Sequence, residues 1–147
     1  MKNLHYIPHT HWDREWHKTF EAFRVRLGYS MEILLDTLEN DKNFDYFMYD
    51  AQTSILDDYL TVYPENRERL KKLISDKRLF VGPWYTQPDF YLISGESLVR
   101  NLLIGSNIAD DMGHSMETGY IPDSFGQSAQ LPQILNGFDL KSVLVWR

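Results

Sequence analysis

Residues 8–17 read PHTHWDREWH, and this decapeptide holds three of the chain's five histidines and two of its four tryptophans. His9, His11 and Asp13 are spaced by two, so in an extended segment all three side chains point to one side. Imidazole nitrogens and carboxylate oxygens suit a borderline divalent ion such as zinc without any sulfur. The competing use of the same residues is a loop histidine bonded to a nearby carboxylate. A second acidic position, Asp123, stands in PDSFGQS, where Pro122 fixes the approach and Gly126 permits a tight turn into the next helix. Asp123 either faces a pocket or N-caps that helix, and Ser124 can fill the capping role equally well. Asp50 in YDAQ and Asp89 in YTQPDF are further carboxylates, each suited to binding hydroxyls or to capping. Trp12, Trp16, Trp84, Tyr85, Phe90, Tyr91 and Phe125 flank these polar positions. Such aromatics are ordinarily core, yet planar walls beside carboxylates also fit a sugar, with its apolar C–H faces and polar edges.

These residues must be positioned by regular elements. Five segments rich in β-branched and aromatic residues read as strands: Leu4 to Pro8, Phe44 to Tyr49, Leu79 to Pro83, Thr118 to Ile121 and Ser142 to Trp146. Helical patterns lie between them. In SMEILLDTLEN, Met31, Leu34, Leu35 and Leu38 fall at i, i+3, i+4 and i+7. TSILDDYL, PENRERLKKLI and GESLVRNLLIGSNIADDM also read as helices, the second with Pro64 at a first helical position. Alternation of strand and helix predicts an α/β fold with right-handed crossovers and a parallel sheet. The chain stops at the fifth strand; an open five-stranded doubly wound sheet is one solution, and the expectation is an incomplete α/β barrel truncated after about five strands, with residues 1–147 as its N-terminal part. HTHWD, YDAQ, YTQPDF and PDSFGQS all follow strands, and in parallel α/β proteins such loops converge on one face.

A chain of 147 residues with 43% hydrophobic and 14% aromatic content is long and apolar enough to fold around a core. The net charge of −6, without a clustered basic surface, argues against a nucleic-acid partner. Arg67 to Lys72 is expected to form a solvated helix face. With no cysteine there is no disulfide and no thiolate metal site. Neither a signal core nor a membrane-length apolar run is present, so the expected setting is cytoplasmic.

HTHWDREW, GPWYTQPDF and IPDSFGQSAQLPQIL, in that order, resemble the N-terminal catalytic domain of glycoside hydrolase family 38, the retaining α-mannosidases. The wording is most similar to the bacterial mannosylglycerate hydrolase-like branch, and the resemblance runs over nearly the whole chain. It implies a zinc-binding His-x-Asp at His11 and Asp13 and a nucleophilic aspartate, also touching the zinc, at Asp123. It further implies substrate walls at Trp16 and Phe125, with His9 behind the ligands, and Asp89 is the carboxylate expected to meet substrate hydroxyls. A further zinc histidine and the general acid/base are expected beyond Arg147, so the chain alone is expected to be inactive. The implied activity is hydrolysis of terminal α-mannosides, including mannosylglycerate or its 6-phosphate. Its partner is that small-molecule substrate, with no nucleic acid or membrane and with self-association of the longer protein left open. Two alternatives stand beside it: another metal-dependent carbohydrate-active barrel such as a polysaccharide deacetylase, and an inactive sugar-binding remnant. His11, Asp13 and Asp123 are expected to converge within about 5 Å of one another.

Overall fold

A computed structural model describes residues 2–146. Strands and helices alternate: β1 (His9–Thr10), α1 (Phe20–Asn40), β2 (Phe47–Tyr49), α2 (Ser54–Leu60), α3 (Arg67–Ser75), β3 (Leu79–Phe80), α4 (Gly95–Asp111), β4 (Thr118–Ile121), α5 (Leu131–Gly137) and β5 (Ser142–Val145). Every paired strand is parallel, as the intervening helices require. His9 pairs with Met48 and Thr10 with Tyr49, while Phe47 pairs with Leu79 and Met48 with Phe80.

The expected α/β arrangement with parallel strands is present, but the strands do not pair into one continuous ladder. Among the described residues the strands form a β1–β2–β3 sheet and a separate β4–β5 pair. The third strand is two residues long, and a single bond from Met116 N–H to the Val81 carbonyl (3.1 Å) reaches toward the fourth. The first strand also lies later than expected. Leu4, Tyr6 and Ile7 are exposed, and the ladder proper begins at His9, after one bond from Met48 N–H to the Pro8 carbonyl (3.0 Å). His9 and Thr10 thus belong to the strand and not to the loop after it.

The first helix begins ten residues before the expected SMEILL segment, at Phe20, where the Thr19 hydroxyl accepts from Ala22 N–H. Its face Leu27, Met31, Leu34, Leu35 and Leu38 is buried against Tyr49, Ile55, Leu70, Ile74 and Leu79. Pro64 opens a 3₁₀ turn, Pro64–Asn66, and the α-helical part of that segment starts at Arg67. Leu70, Leu73 and Ile74 are its buried side, while Arg69, at the edge of that side one turn before Leu73, pairs with Glu32, Asp36 and Glu39 of α1. The second core gathers Trp84, Leu98, Leu102, Ile121, Leu131 and Leu135 under α4 and α5.

Gly105 explains how α4 reaches the loop after β3. A Cβ there would stand 2.2 Å from the Trp84 carbonyl carbon and 2.3 Å from the Pro83 oxygen, so only glycine lets helix and loop approach this closely. One turn earlier, Asn101 Oδ1 accepts from Tyr85 N–H (2.9 Å) and its Nδ2 donates to the Thr86 carbonyl (2.8 Å). No helix among the described residues is long and apolar enough to cross a membrane.

Candidate active site

Residues from every strand, including His9, Met48, Phe80, Tyr120 and Leu144, line an open pocket of about 930 Å³ between the two sheets. His11 and Asp123 lie at its rim, at the C-terminal ends of β1 and β4. His9 is packed edge-on to Tyr120 at 6.0 Å, with its Nδ1 3.4 Å from the Tyr120 hydroxyl.

His11, Asp13 and Asp123 come together. His11 Nε2 is 3.4 Å from Asp13 Oδ1 and 3.6 Å from Asp123 Oδ2. The alternative of Asp123 as a helix cap is not realised, because α5 starts at Leu131 with Gln130 at its N-cap position. Ser124 does not cap it either; it is buried, and its hydroxyl has no hydrogen-bond partner among the described residues. Gly126 makes the expected turn at φ +73°, with the Tyr91 ring in the place a Cβ would occupy (2.5 Å).

The ring of His11 is held from behind. Its Nδ1 donates to Asp50 Oδ1 at 3.0 Å, and Trp12 N–H donates to Asp50 Oδ2 at 2.8 Å. Because a carboxylate only accepts, Nδ1 carries the proton and Nε2 is the nitrogen turned to Asp13 and Asp123. The Asp50 hydrogen bond first, then the charges of Asp50, Asp13 and Asp123, push His11 up to about 9 against the opposing effect of partial burial. An imidazole so surrounded is favoured in its protonated form.

Asp50 is itself fully buried and sits at φ +54°, followed by Ala51 at +55°. Left-handed conformations at non-glycine residues cost on the order of 1–3 kcal/mol each and persist where the surroundings over-determine them. The surroundings here are amides. Gln52 Nε2 donates to Asp50 Oδ2 and to the Trp12 carbonyl, and Gln52 Oε1 accepts from Thr86 Oγ1 and Gln87 N–H. Gln87 Nε2 in turn bridges the carbonyls of Asp50 (3.0 Å) and Tyr120 (3.1 Å). YDAQ and YTQ are thus one network joining the ends of four strands, a role for Gln52 and Gln87 that the sequence reading did not assign. The available signal was the requirement that polar side chains directly after buried strands find partners.

Other expected residues fall as follows. Asp89 Oδ1 accepts from Phe125 N–H at 2.8 Å, and Phe90 N–H donates to the Phe125 carbonyl, so the third and fourth loops are tied together just past Asp123. That bond serves the loop, and it occupies one oxygen of the carboxylate read as a hydroxyl binder. Trp16 and Phe125 are 70% and 57% exposed, open faces rather than core. Trp84 and Phe90, by contrast, are buried, with the Trp84 indole donating to the Tyr120 carbonyl (3.0 Å). Arg14 holds the first loop down through a two-pronged pair with Asp58, both bonds 2.7 Å.

The triad's spacing can be set against a metal. Ligands about 2.0–2.2 Å from a tetrahedral zinc lie roughly 3.3–3.6 Å from one another. The two separations from His11 Nε2 match that edge, and one imidazole with two carboxylates is a suitable donor set. Among the described residues no group of three or more His, Cys, Asp or Glu side chains is placed to hold a metal ion as it stands. The fit is therefore of the donor types and of the two separations from His11 Nε2.

The family model for the glycosyl hydrolases family 38 N-terminal domain matches residues 1–147. A protein of Halalkalibacterium halodurans named "Putative mannosylglycerate hydrolase" is 42% identical over 99% of this chain and 16% of its own length. Alpha-mannosidase 2C1 of Mus musculus is 30% identical over 96% of the chain and 14% of its length. The crystal structure of an alpha-mannosidase from Enterococcus faecalis V583 superposes with a TM-score of 0.91 at 43% identity, covering 93% of this chain and 16% of that one. The chain therefore spans only about a sixth of such relatives.

Proposed function

The chain belongs to glycosyl hydrolases family 38, and from that membership we propose that it supplies the nucleophile and part of the metal site of a retaining α-mannosidase. One observation carries this reading: His11 Nε2 faces both Asp13 and Asp123, at 3.4 and 3.6 Å, on the rim of a cavity reached from the strand ends. His11, Asp13 and Asp123 would hold one zinc ion, with a further histidine supplied from outside residues 1–147. When bound, the ion supplies electrostatic attraction for a cis pair of mannose hydroxyls and favours distortion of the ring toward the transition state.

The chain's own groups do the rest. An Asp123 carboxylate oxygen attacks the anomeric carbon while the bond from that carbon to the aglycone oxygen breaks. The departing oxygen takes its proton from a second carboxyl group, assigned outside this chain, roughly 5 Å from the first as retention requires. Water, deprotonated by that same group, then displaces Asp123 and releases mannose with its configuration retained. Trp16 and Phe125, exposed within three residues of Asp13 and Asp123, provide apolar faces for the sugar ring. The free oxygen of Asp89 would meet a sugar hydroxyl. We read the two parallel sheets as consecutive arcs of one incomplete α/β barrel, because their inner residues share a single cavity. The name of the H. halodurans relative makes mannosylglycerate the natural substrate to try first.

The test is the intact protein with zinc removed and restored, assayed on an aryl α-mannoside and on mannosylglycerate. Zinc-dependent release of α-mannose as the first-formed anomer is expected. First release of the β-anomer, release of acetate from an acetylated glycan, or binding of mannose without turnover would each replace this reading with another.

A further inference from the structure

We propose that Asp50 is a positioning residue for the metal site: it selects the tautomer and fixes the ring plane of His11, and thereby sets divalent-ion affinity. This inference rests on His11 being a ligand, as argued above. Three observations on Asp50 itself carry it.

The first is where its oxygens go. Oδ1 takes the His11 Nδ1 proton at 3.0 Å, and Oδ2 takes the Trp12 backbone N–H at 2.8 Å and the Gln52 amide. One carboxylate therefore fixes both the ring and the backbone between His11 and Asp13. The second is its burial. Asp50 is 0% exposed, so water cannot take over these bonds and a misplaced partner has no substitute. The third is the backbone. Asp50 and Ala51 both adopt positive φ, and the strained bend is held by Gln87 on the Asp50 carbonyl and by a parallel bridge between Gln52 and Trp84. A carboxylate needed only to neutralise a histidine would not require an unfavourable backbone at the end of a strand. One that must meet a ring from a fixed direction does.

In metal sites a histidine ligand commonly donates its second ring N–H to such a carboxylate, and loss of that partner weakens metal binding about 10- to 100-fold. The arrangement here has that form before any ion is considered. Asp50 stands behind the ring, and Nε2 stands in front of it toward Asp13 and Asp123.

The experiment is a double-mutant cycle on the intact protein, measuring zinc affinity by competition with a chromophoric chelator and coordination by the visible spectrum of the cobalt form. Asp50→Asn should weaken zinc about 10- to 100-fold at unchanged stoichiometry and alter the cobalt bands. On a His11→Ala background the same change should cost much less, since Asp50 acts chiefly through the His11 ring and otherwise only through the Trp12 backbone before Asp13. Wild-type affinity in Asp50→Asn, or losses that simply add, overturn the proposal while leaving His11 a ligand. Full zinc affinity in His11→Ala overturns the underlying metal reading and this inference with it. Where Asp50→Asn melts below the assay temperature, Asp50→Glu, which keeps the charge but shifts the oxygens by a methylene, goes through the same cycle with the same outcomes.

Discussion

Asp123 and Arg14 mark two kinds of residue, one proposed to react and one that holds the first loop in place. Replacing Asp123 by Asn keeps its size but removes the nucleophile, so turnover of an aryl α-mannoside should fall on the order of 10³-fold or more with the melting temperature little changed. Zinc content measured on the same sample separates loss of the nucleophile from loss of the ion. Near-normal turnover would remove Asp123 from the mechanism. Arg14 lies over the Phe20 ring at 5.1 Å and pairs with Asp58, which is only 7% exposed. Arg14→Ala strands that carboxylate, and because Arg14 is itself a third exposed the cost should be about 1–3 kcal/mol, read from denaturant unfolding. Arg14→Lys should recover little of it, since a point charge cannot make both bonds of the fork.

At the scale of elements, the register between α4 and the loop after β3 depends on one missing side chain. Gly105→Ala puts a methyl group 2.2 Å from backbone that cannot rotate away, so destabilisation should be about 1–3 kcal/mol or more. The displaced segment carries Thr86 and Gln87, so the network on Asp50 should loosen too. Gly95→Ala, at the start of the same helix and with nothing within 4 Å, is the control and should be neutral or slightly stabilising. Equal melting temperatures for the two variants would contradict the close approach. The same helix shows what local pattern can say. Its spacing of Leu98, Leu102 and Ala109 is readable from the sequence, as is its cap at Ser94. That position 105 must be glycine depends on the loop at 83–85, and no periodicity reports that. The first helix shows the opposite failure. Its N-terminal half carries Val25 and Tyr29 exposed on one side, which blurs the amphipathic signal, and only Thr19 marks the start.

For the whole molecule, the fold leaves apolar surface on the β4–β5 side. Leu144 and Trp146 are 53% and 82% exposed, and β5 has no neighbour beyond β4 among the described residues. Residues 1–147 produced by themselves should therefore bind a hydrophobic dye, self-associate on concentration and show no turnover, because an uncovered strand edge recruits other chains. Dye fluorescence, light scattering and an α-mannoside assay against the intact protein at equal concentration check this. A monomeric, dye-silent chain with the intact protein's rate would mean that the acid, the nucleophile and the metal ligands all lie within it.

Composition, helix spacing and the order of three motifs determined the α/β class, the alternation of elements and the family, because these signals are carried by residues close together in the chain. The spacing of His11 and Asp13 likewise belongs to the sequence. What only tertiary structure decided is which carboxylates meet which histidine. Asp50 is 39 residues from His11, and nothing local distinguishes it from Asp89, which faces the Phe125 backbone instead. Nor does local pattern show that the parallel ladder breaks between β3 and β4, or that Gln52 and Gln87 tie four strand ends together. Those outcomes follow from buried polar groups having to find partners across the fold, a constraint that acts only once the strands have brought their ends together.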